Sequence, residues 1–316
     1  MNINPLFDKW QGKRYHSLNA FLRNKFGEPV YRISLDAGFS CPNRDGTKGW
    51  GGCTYCNESG SRAAYVEPDL SITEQLKKGK AFIQKKYGAK KFIAYFQAYT
   101  NTYADINTLE KIYKEALNFP DIVAIAIGTR PDCIDNQKLD LLEEISRDVL
   151  VILEMGAQSM KEETLLKINR QHTAKETLNA FTEARKRKSL HLLSHLIFGL
   201  PDETADDMIS SVKILLETGI DAFKFHHLYI EKGSTMENDW KKGKIKLLSR
   251  DEYINILLSI IPILPERIVI HRLFGDCNPQ KLIAPEWTIE KANNLHLFER
   301  RLEEMDVYQG KIPYKI

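Results

Sequence analysis

Residues 122–155 read IVAIAIGTRPDCIDNQKLDLLEEISRDVLVILEM. The stretch opens on a continuous apolar run, Ile122–Gly128, turns at Pro131, and closes on a second run, Val149–Met155. Between them Asp135 stands as an N-cap before a helical segment, Asn136–Ser146. Apolar runs that are continuous rather than alternating belong to strands buried on both faces, as in a parallel sheet. The stretch therefore reads as a β/α/β unit. The same alternation extends in both directions. Further strands are predicted at Val30–Phe39, Phe92–Tyr99, Leu190–Phe198 and Ala222–Ile230. Helices are predicted at Ile72–Tyr87, Ile106–Leu117, Ala174–Lys188 and Thr204–Thr218, the last stopped by Gly219. Six β/α units in right-handed succession make an α/β fold, either an open doubly wound sheet or a full or partial barrel. In a barrel the functional residues gather at the C-terminal ends of the strands. Residues 1–25 precede this core as an N-terminal extension, and the core runs over 26–262. Residues 263–316 form a C-terminal extension with a strand-like IVIHRLFG and a helix near Ile289–Glu304, which closes the substrate cavity.

The chain has 316 residues, 43% hydrophobic and 28% charged, which suits a globular protein with a sizeable core. A net charge of +3 permits a nucleic-acid partner without arguing for one. The N-terminus lacks a signal-peptide core, and no apolar run approaches the roughly 18 residues of a membrane span. A cytoplasmic protein without a membrane partner is expected. In that compartment five cysteines are not a disulfide framework.

Three of those cysteines share one loop, residues 40–61, SCPNRDGTKGWGGCTYCNESGS. Cys41, Cys53 and Cys56 have the spacing C-x11-C-x2-C, whereas Cys133 and Cys277 stand apart. Thiolates are soft ligands for zinc or iron–sulfur clusters. A structural zinc needs a fourth ligand, from Cys133, Cys277 or a histidine; a cluster with an open iron needs three. Gly46, Gly49, Gly51, Gly52 and Gly60 let backbone wrap closely around an inorganic core.

Six segments together carry a resemblance: YRISLDAGFSCPNRDGTKGWGGCTYC, YFQAYTNTYA, IGTRPDCI, LEMGAQS, INRQHT and HLIFGLPDET. In this order they resemble the radical SAM superfamily, in its YtqA/YhcC-like branch, which is related to the radical SAM module of the Elongator catalytic subunit. The resemblance spans about residues 3–300. It implies a partial (β/α)6 TIM barrel and a [4Fe–4S] cluster on Cys41, Cys53 and Cys56. S-adenosyl-L-methionine (SAM) would bind the open iron and be cleaved, after reduction by a donor such as flavodoxin or ferredoxin, to a 5′-deoxyadenosyl radical. Cofactor contacts would come from Tyr55, Gln97 or Asn101, Glu154, Gln158, Arg170, Phe198 and Gly199. The segment Phe96–Asn101 departs from the superfamily's Gly-Gly-Glu-like pattern, which leaves Gln97 or Asn101 as a neutral acceptor for the SAM amino group. Arg170 would grip the SAM carboxylate, and Phe198-Gly199 would line the adenine. Glu154 interrupts an apolar strand, where a carboxylate must be paired or functional; it would take the ribose hydroxyls or form an ion pair with Arg130 or Arg170. Arg130, Lys224, His226, His271 and Arg272 would face the substrate. Asp276 and Trp287 join His271 and Arg272 as residues that would close the cavity.

The same resemblance implies tRNA as partner. The wobble uridine's carboxymethylaminomethyl group would be remodelled toward aminomethyl, with a methyltransferase acting downstream. Basic clusters at Lys85/Lys86/Lys90/Lys91, Arg185–Lys188 and Lys241/Lys242/Lys244/Lys246 are the charges phosphate contacts require, and are equally solvated helix faces. A small metabolite or protein substrate, and a non-catalytic metal-binding scaffold, are the competing expectations.

Overall fold

In a computed structural model the apolar runs form one curled sheet of seven parallel strands, in the order β1-β2-β3-β4-β5-β6-β8. The structure describes residues 4–57, 60, 66 and 69–314; residues 58–59 and 61 of the cysteine loop lie outside them. The strands are β1 (Val30–Leu35), β2 (Lys91–Phe96), β3 (Ile122–Thr129), β4 (Leu150–Gln158), β5 (His191–Phe198), β6 (Ala222–His227) and β8 (Val269–Arg272). Helices alternate with strands and cover the outer face. Their starts follow the sequence closely. Ser71 with Glu74, Thr173 with Glu176, and Thr204 with Asp207 form reciprocal capping boxes. Asp105 and Asp135 cap the helices Ile106–Leu117 and Asn136–Ile145. This is the partial (β/α) barrel expected, with one strand more.

That strand is β8, from the segment read as a C-terminal extension. It pairs in parallel with β6, so the sheet continues past residue 262. Strand limits also differ. β1 stops at Leu35 rather than Phe39, because the Asp36 amide donates to the Gln75 side chain and Asp36 Oδ1 accepts from Gly38 N in a tight turn. β6 stops at His227, and Ile230 belongs instead to an antiparallel pair of β7 (Ile230–Glu231) and β9 (Leu282–Ala284).

Two packing layers result. Outward side chains of the strands join the helices in the main core, including Ile33, Phe96, Phe198 and Phe225. Inward side chains at the lower end form a second core with Leu18 and Leu22. Those two leucines come from the helix Leu18–Phe26, which packs against both β1 and β8. The N-terminal segment thus spans the gap between the edge strands at the base, and Ser17 pairs with Ile270 of β8. The barrel is plugged below and open at the strands' C-terminal ends. Among the described residues no helix is long and apolar enough to cross a membrane.

Candidate active site

The open end holds a cavity of about 610 Å³. That lies within the roughly 300–1,000 Å³ of small-molecule sites. Cys41, Cys53 and Cys56 line it together, on the loop that follows β1. The loop is shaped by hydrogen bonds to the segment after β4. Asn43 Nδ2 donates to the Asn169 carbonyl at 2.6 Å, and Asn169 Nδ2 to the Gly52 carbonyl at 2.8 Å. Thr54 N donates to the Ile168 carbonyl. Gly52 has φ +77°, and a Cβ there would lie 2.9 Å from Arg44 Nε. A side chain would push that guanidinium from its place beside the loop.

Arg170 joins the loop to the barrel. Nη1 lies 3.4 Å from Cys53 Sγ, Nη2 donates to the Gly156 carbonyl at 2.6 Å, and Nε donates to His172 Nε2 at 2.8 Å. Burial would raise the Cys53 thiol's pKa, but Arg170 and Arg130 pull it below its ordinary value. Cys56 is pushed up to about 11 by burial and by Cys53, against the pull of Arg44. His172 is held down to about 3 by burial and the two guanidiniums, so it is the neutral acceptor that Arg170 needs.

Four buried polar atoms on residues lining the cavity, Thr100 Oγ1, Arg130 Nη1, Gln158 Oε1 and His195 Nε2, have no hydrogen-bond partner among the described residues. Unsatisfied buried groups are rare unless a ligand completes them. Arg130 is otherwise engaged, with Nε and Nη2 both 2.9 Å from the Asp132 carboxylate.

The deep wall carries Tyr95, Glu154, Lys224, His195 and His226. Lys224 Nζ lies 2.5 Å from Glu154 Oε1 and donates to the Tyr95 hydroxyl, which donates to Glu154 Oε2 at 3.1 Å. Glu154 is therefore ion-paired as its cost of burial demands, with Lys224 rather than Arg130 or Arg170. Burial opposes its charge, but Lys224 and His195 hold it down to about 2. Register brings these groups together: His195 pairs with Lys224, and Lys224 with Arg272, whose bulge turns it into the cavity.

Tyr55, Gln97, Glu154, Gln158, Arg170, Arg130, Lys224, His226 and Arg272 all line this one cavity. Four residues expected there do not. Phe198 faces outward, stacked 5.3 Å from Phe225, and its neighbour Ile197 takes the inward position. Gly199 lies beyond the strand, where a Cβ would meet Leu248 at 2.9 Å. Asn101 is fully buried beside the cavity and staples its own loop, donating to the Ala98 and Gly128 carbonyls. His271 points into the barrel's lower end, its Nε2 3.1 Å from that of His191. Of the residues expected to close the cavity, Asp276 lines it, while Trp287 is core, 4.0 Å from the His227 ring. Tyr95, Arg44, Asn57, Glu231 and Cys277 are cavity residues that sequence reasoning missed. Polarity at a strand's end could have flagged Tyr95; Arg44, Asn57 and Cys277 sit on loops, and Glu231 on the two-residue strand β7.

The donor set fits an iron–sulfur cluster with a charged organic ligand. Three thiols line the cavity, guanidiniums flank two of them, and Arg130 and Gln158 near Cys53 carry unpartnered polar atoms. Among the described residues no three His, Cys, Asp or Glu side chains converge on a point, as a single metal ion would require.

Comparison with known proteins agrees. Residues 44–215 match the Radical SAM superfamily and residues 220–304 the Radical_SAM C-terminal domain. The chain is 36% identical to the uncharacterized protein YtqA of Bacillus subtilis, covering 98% of this chain and 96% of YtqA. It is 36% identical to protein YhcC of Escherichia coli K12, over 90% of this chain and 91% of that protein. Its fold matches the archaeal Methanocaldococcus infernus Elp3 with a TM-score of 0.67 at 17% identity, over 89% of this chain and 64% of the other, so it spans just under two thirds of that chain. Members of the matched superfamily use a [4Fe–4S] cluster and SAM. The chain belongs to the radical SAM superfamily, in the group that holds YtqA and YhcC.

Proposed function

We propose that this enzyme cleaves SAM and acts on the wobble uridine of tRNA, remodelling a carboxymethylaminomethyl group to aminomethyl; the N-alkylglycine methylene would give up a hydrogen atom to the SAM-derived radical and one electron to the cluster, and water would then cleave the oxidised C–N bond, releasing the two carbons as glyoxylate. The observation that carries the chemistry is the common cavity: three thiols and the Glu154–Lys224–Tyr95 triad line one space of a size for a cofactor and a substrate group. When bound, the cluster and SAM supply a hydrogen-abstracting 5′-deoxyadenosyl radical. Cys41, Cys53 and Cys56 hold the cluster. Arg170 and Arg130 pull the Cys53 thiol below its ordinary pKa, which favours the thiolate a cluster would need, and Arg130 Nη1 offers a donor to a carboxylate. Gln158 Oε1 is the acceptor for a ribose hydroxyl, since Glu154 is already committed to Lys224.

The tRNA substrate rests on the relatedness to Elongator-type enzymes. The surface gives it modest support. Of the basic clusters, Arg185 is paired with Asp221, Arg187 with Asp140, and Lys241 with Glu237. Lys85, Lys86 and Lys90 have no carboxylate within ion-pair distance among the described residues, so they are the cations best placed for phosphate. A one-electron donor such as flavodoxin or ferredoxin supplies the reducing electron, and a methyltransferase consumes the aminomethyl product.

The test is anaerobic reconstitution with iron and sulfide, reduction with SAM present, and assay for 5′-deoxyadenosine. Product should form and vanish in the triple-cysteine variant. Addition of tRNA from a strain lacking the protein should stimulate it and convert the wobble nucleoside. Stoichiometric zinc in place of iron would overturn the class. SAM cleavage with no change in that tRNA would overturn the substrate.

A further inference from the structure

The curled sheet does not close. Its two edges, β1 and β8, leave a lateral gap that the helix Leu18–Phe26 fills only at the base. Each edge strand contributes one half-buried arginine near that gap, Arg32 from β1 and Arg272 from β8. Both approach Tyr95 and Lys224. Arg32 lies over the Tyr95 ring at 5.7 Å and Lys224 over the same ring at 5.3 Å. Arg272 belongs to the cavity wall with Lys224, its pairing partner on β6, and has Nη1 3.3 Å from His226 Nε2. Burial and the nearby Arg272 both disfavour the charge on Arg32.

The charges here do not balance. Glu154 is taken by Lys224, and Asp276 by Lys291 at 2.7 Å. Glu231 accepts from Asn57 and Cys277. Among the described residues neither Arg32 nor Arg272 has a carboxylate within ion-pair distance. Two like charges held together without a counterion are costly. They are held by edge strands that the rest of the barrel fixes. An incoming anion relieves that repulsion, and guanidinium forks match a carboxylate's two oxygens.

We propose that Arg32 and Arg272, with Lys224 beside them, form a carboxylate-binding subsite at the lateral gap, one that receives the acid end of an N-alkylglycine side chain on the substrate base. This rests on the wobble-uridine reading and deepens it. The carboxylate end of the modification enters through the gap and is held by the arginines, which leaves its methylene carbons in the cavity between the triad and the cysteine wall. A substrate with the aminomethyl group alone has nothing to offer the pair, so the subsite discriminates substrate from product.

The test is binding, without reductant, to the reconstituted protein saturated with SAM. The probes are free 5-carboxymethylaminomethyluridine, its neutral carboxamide, uridine 5′-monophosphate and N-methylglycine. The carboxylate nucleoside should bind roughly 10- to 100-fold more tightly than the carboxamide, the range expected for charge-assisted hydrogen bonds. R32Q and R272Q should each abolish most of that difference while SAM affinity stays unchanged. Equal binding of acid and amide by the wild type overturns the subsite but leaves the uridine reading standing. Arginine-dependent binding of N-methylglycine, with no preference for the nucleoside, keeps the subsite and overturns the uridine reading. Arginine-dependent binding of the monophosphate alone would mean the pair takes phosphate, and would overturn the carboxylate assignment. Loss of SAM affinity in both variants would make the pair part of the cofactor site and overturn it too.

Discussion

Removing one partner of the Glu154–Lys224 pair tests the base of the cavity most directly. Their side chains are 8% and 4% exposed. In Lys224→Met the Glu154 carboxylate keeps only the Tyr95 hydroxyl, with His195 Nδ1 4.0 Å away and neutral at pH 7 because burial holds it down to about 3. An uncompensated buried charge costs about 3–5 kcal/mol. The double variant Glu154→Leu, Lys224→Met removes both charges, and exchanges of that kind run near neutral. A double-mutant cycle should therefore return a coupling of at least about 3 kcal/mol. Urea midpoints at matched cofactor content provide the readout. The pH dependence carries an independent sign. Glu154 at about 2 lies below its unfolded value of roughly 4.3. The wild type keeps this stabilisation above that unfolded value and loses it as pH falls through about 2. In Lys224→Met the carboxyl rises instead, so stability should increase as pH falls from 7 toward 5. A cost below about 1 kcal/mol for Lys224→Met, with no coupling in the cycle, would refute the ion pair as the organising contact of this wall.

Three further outcomes follow from other parts of the molecule. Cys41→Ala, Cys53→Ala and Cys56→Ala should each abolish 5′-deoxyadenosine formation, whereas Cys133→Ala, buried outside the cavity, should leave it intact. Glu203 is raised to about 7 by burial, against hydrogen bonds from Ser159 and Thr164. Its folded value exceeds the unfolded one, so its contribution is full below about pH 4.3 and lost as pH rises through 7; Glu203→Gln should gain roughly 1–3 kcal/mol at pH 8 and little at pH 4 in urea titrations. Gly79→Ala would place a Cβ 2.4 Å from Ile33 Cγ2, costing roughly 1–3 kcal/mol of stability with SAM cleavage per folded molecule unchanged.

The fold was legible because its strands are apolar without interruption and its helices open on strong caps. Limits were less legible. The segment of β8 reads as strand-like but falls in a C-terminal extension, because four residues ending His-Arg carry no signal that they join the main sheet. Phe198 was misplaced for a different reason. In His191–Phe198 both faces are buried and polar residues fall on each, Ser194 on one and His195 on the other, so alternation alone does not say which residues point inward. Only pairing with β6 and the phenylalanine stack on Phe225 fix Ile197 inward and Phe198 outward. Asn101 was read as a ligand group because polarity near a strand end has two uses, binding a ligand and satisfying the turn's own carbonyls. Here the carbonyls of Ala98 and Gly128 take it.

One signal in the strands does separate the cases. A polar side chain inside a buried parallel strand is expensive on either face. On the outer face it meets helices and must be replaced by an apolar residue. Inside the barrel's upper end it meets other polar groups and the cavity. Arg32, Tyr95, Glu154, His195 and Lys224 are all such interruptions, and Tyr95, Glu154, His195 and Lys224 line the cavity directly. Taken together rather than singly, these interruptions would have located the inner polar layer from sequence. Their partnerships would still have been hidden. Glu154 meets Lys224 across β5, and Arg32 nears Arg272 only because the sheet curls far enough to bring its first and last strands to one gap. Local pattern identifies which residues must face inward; closure of the barrel decides which charges are matched and which are left for a ligand.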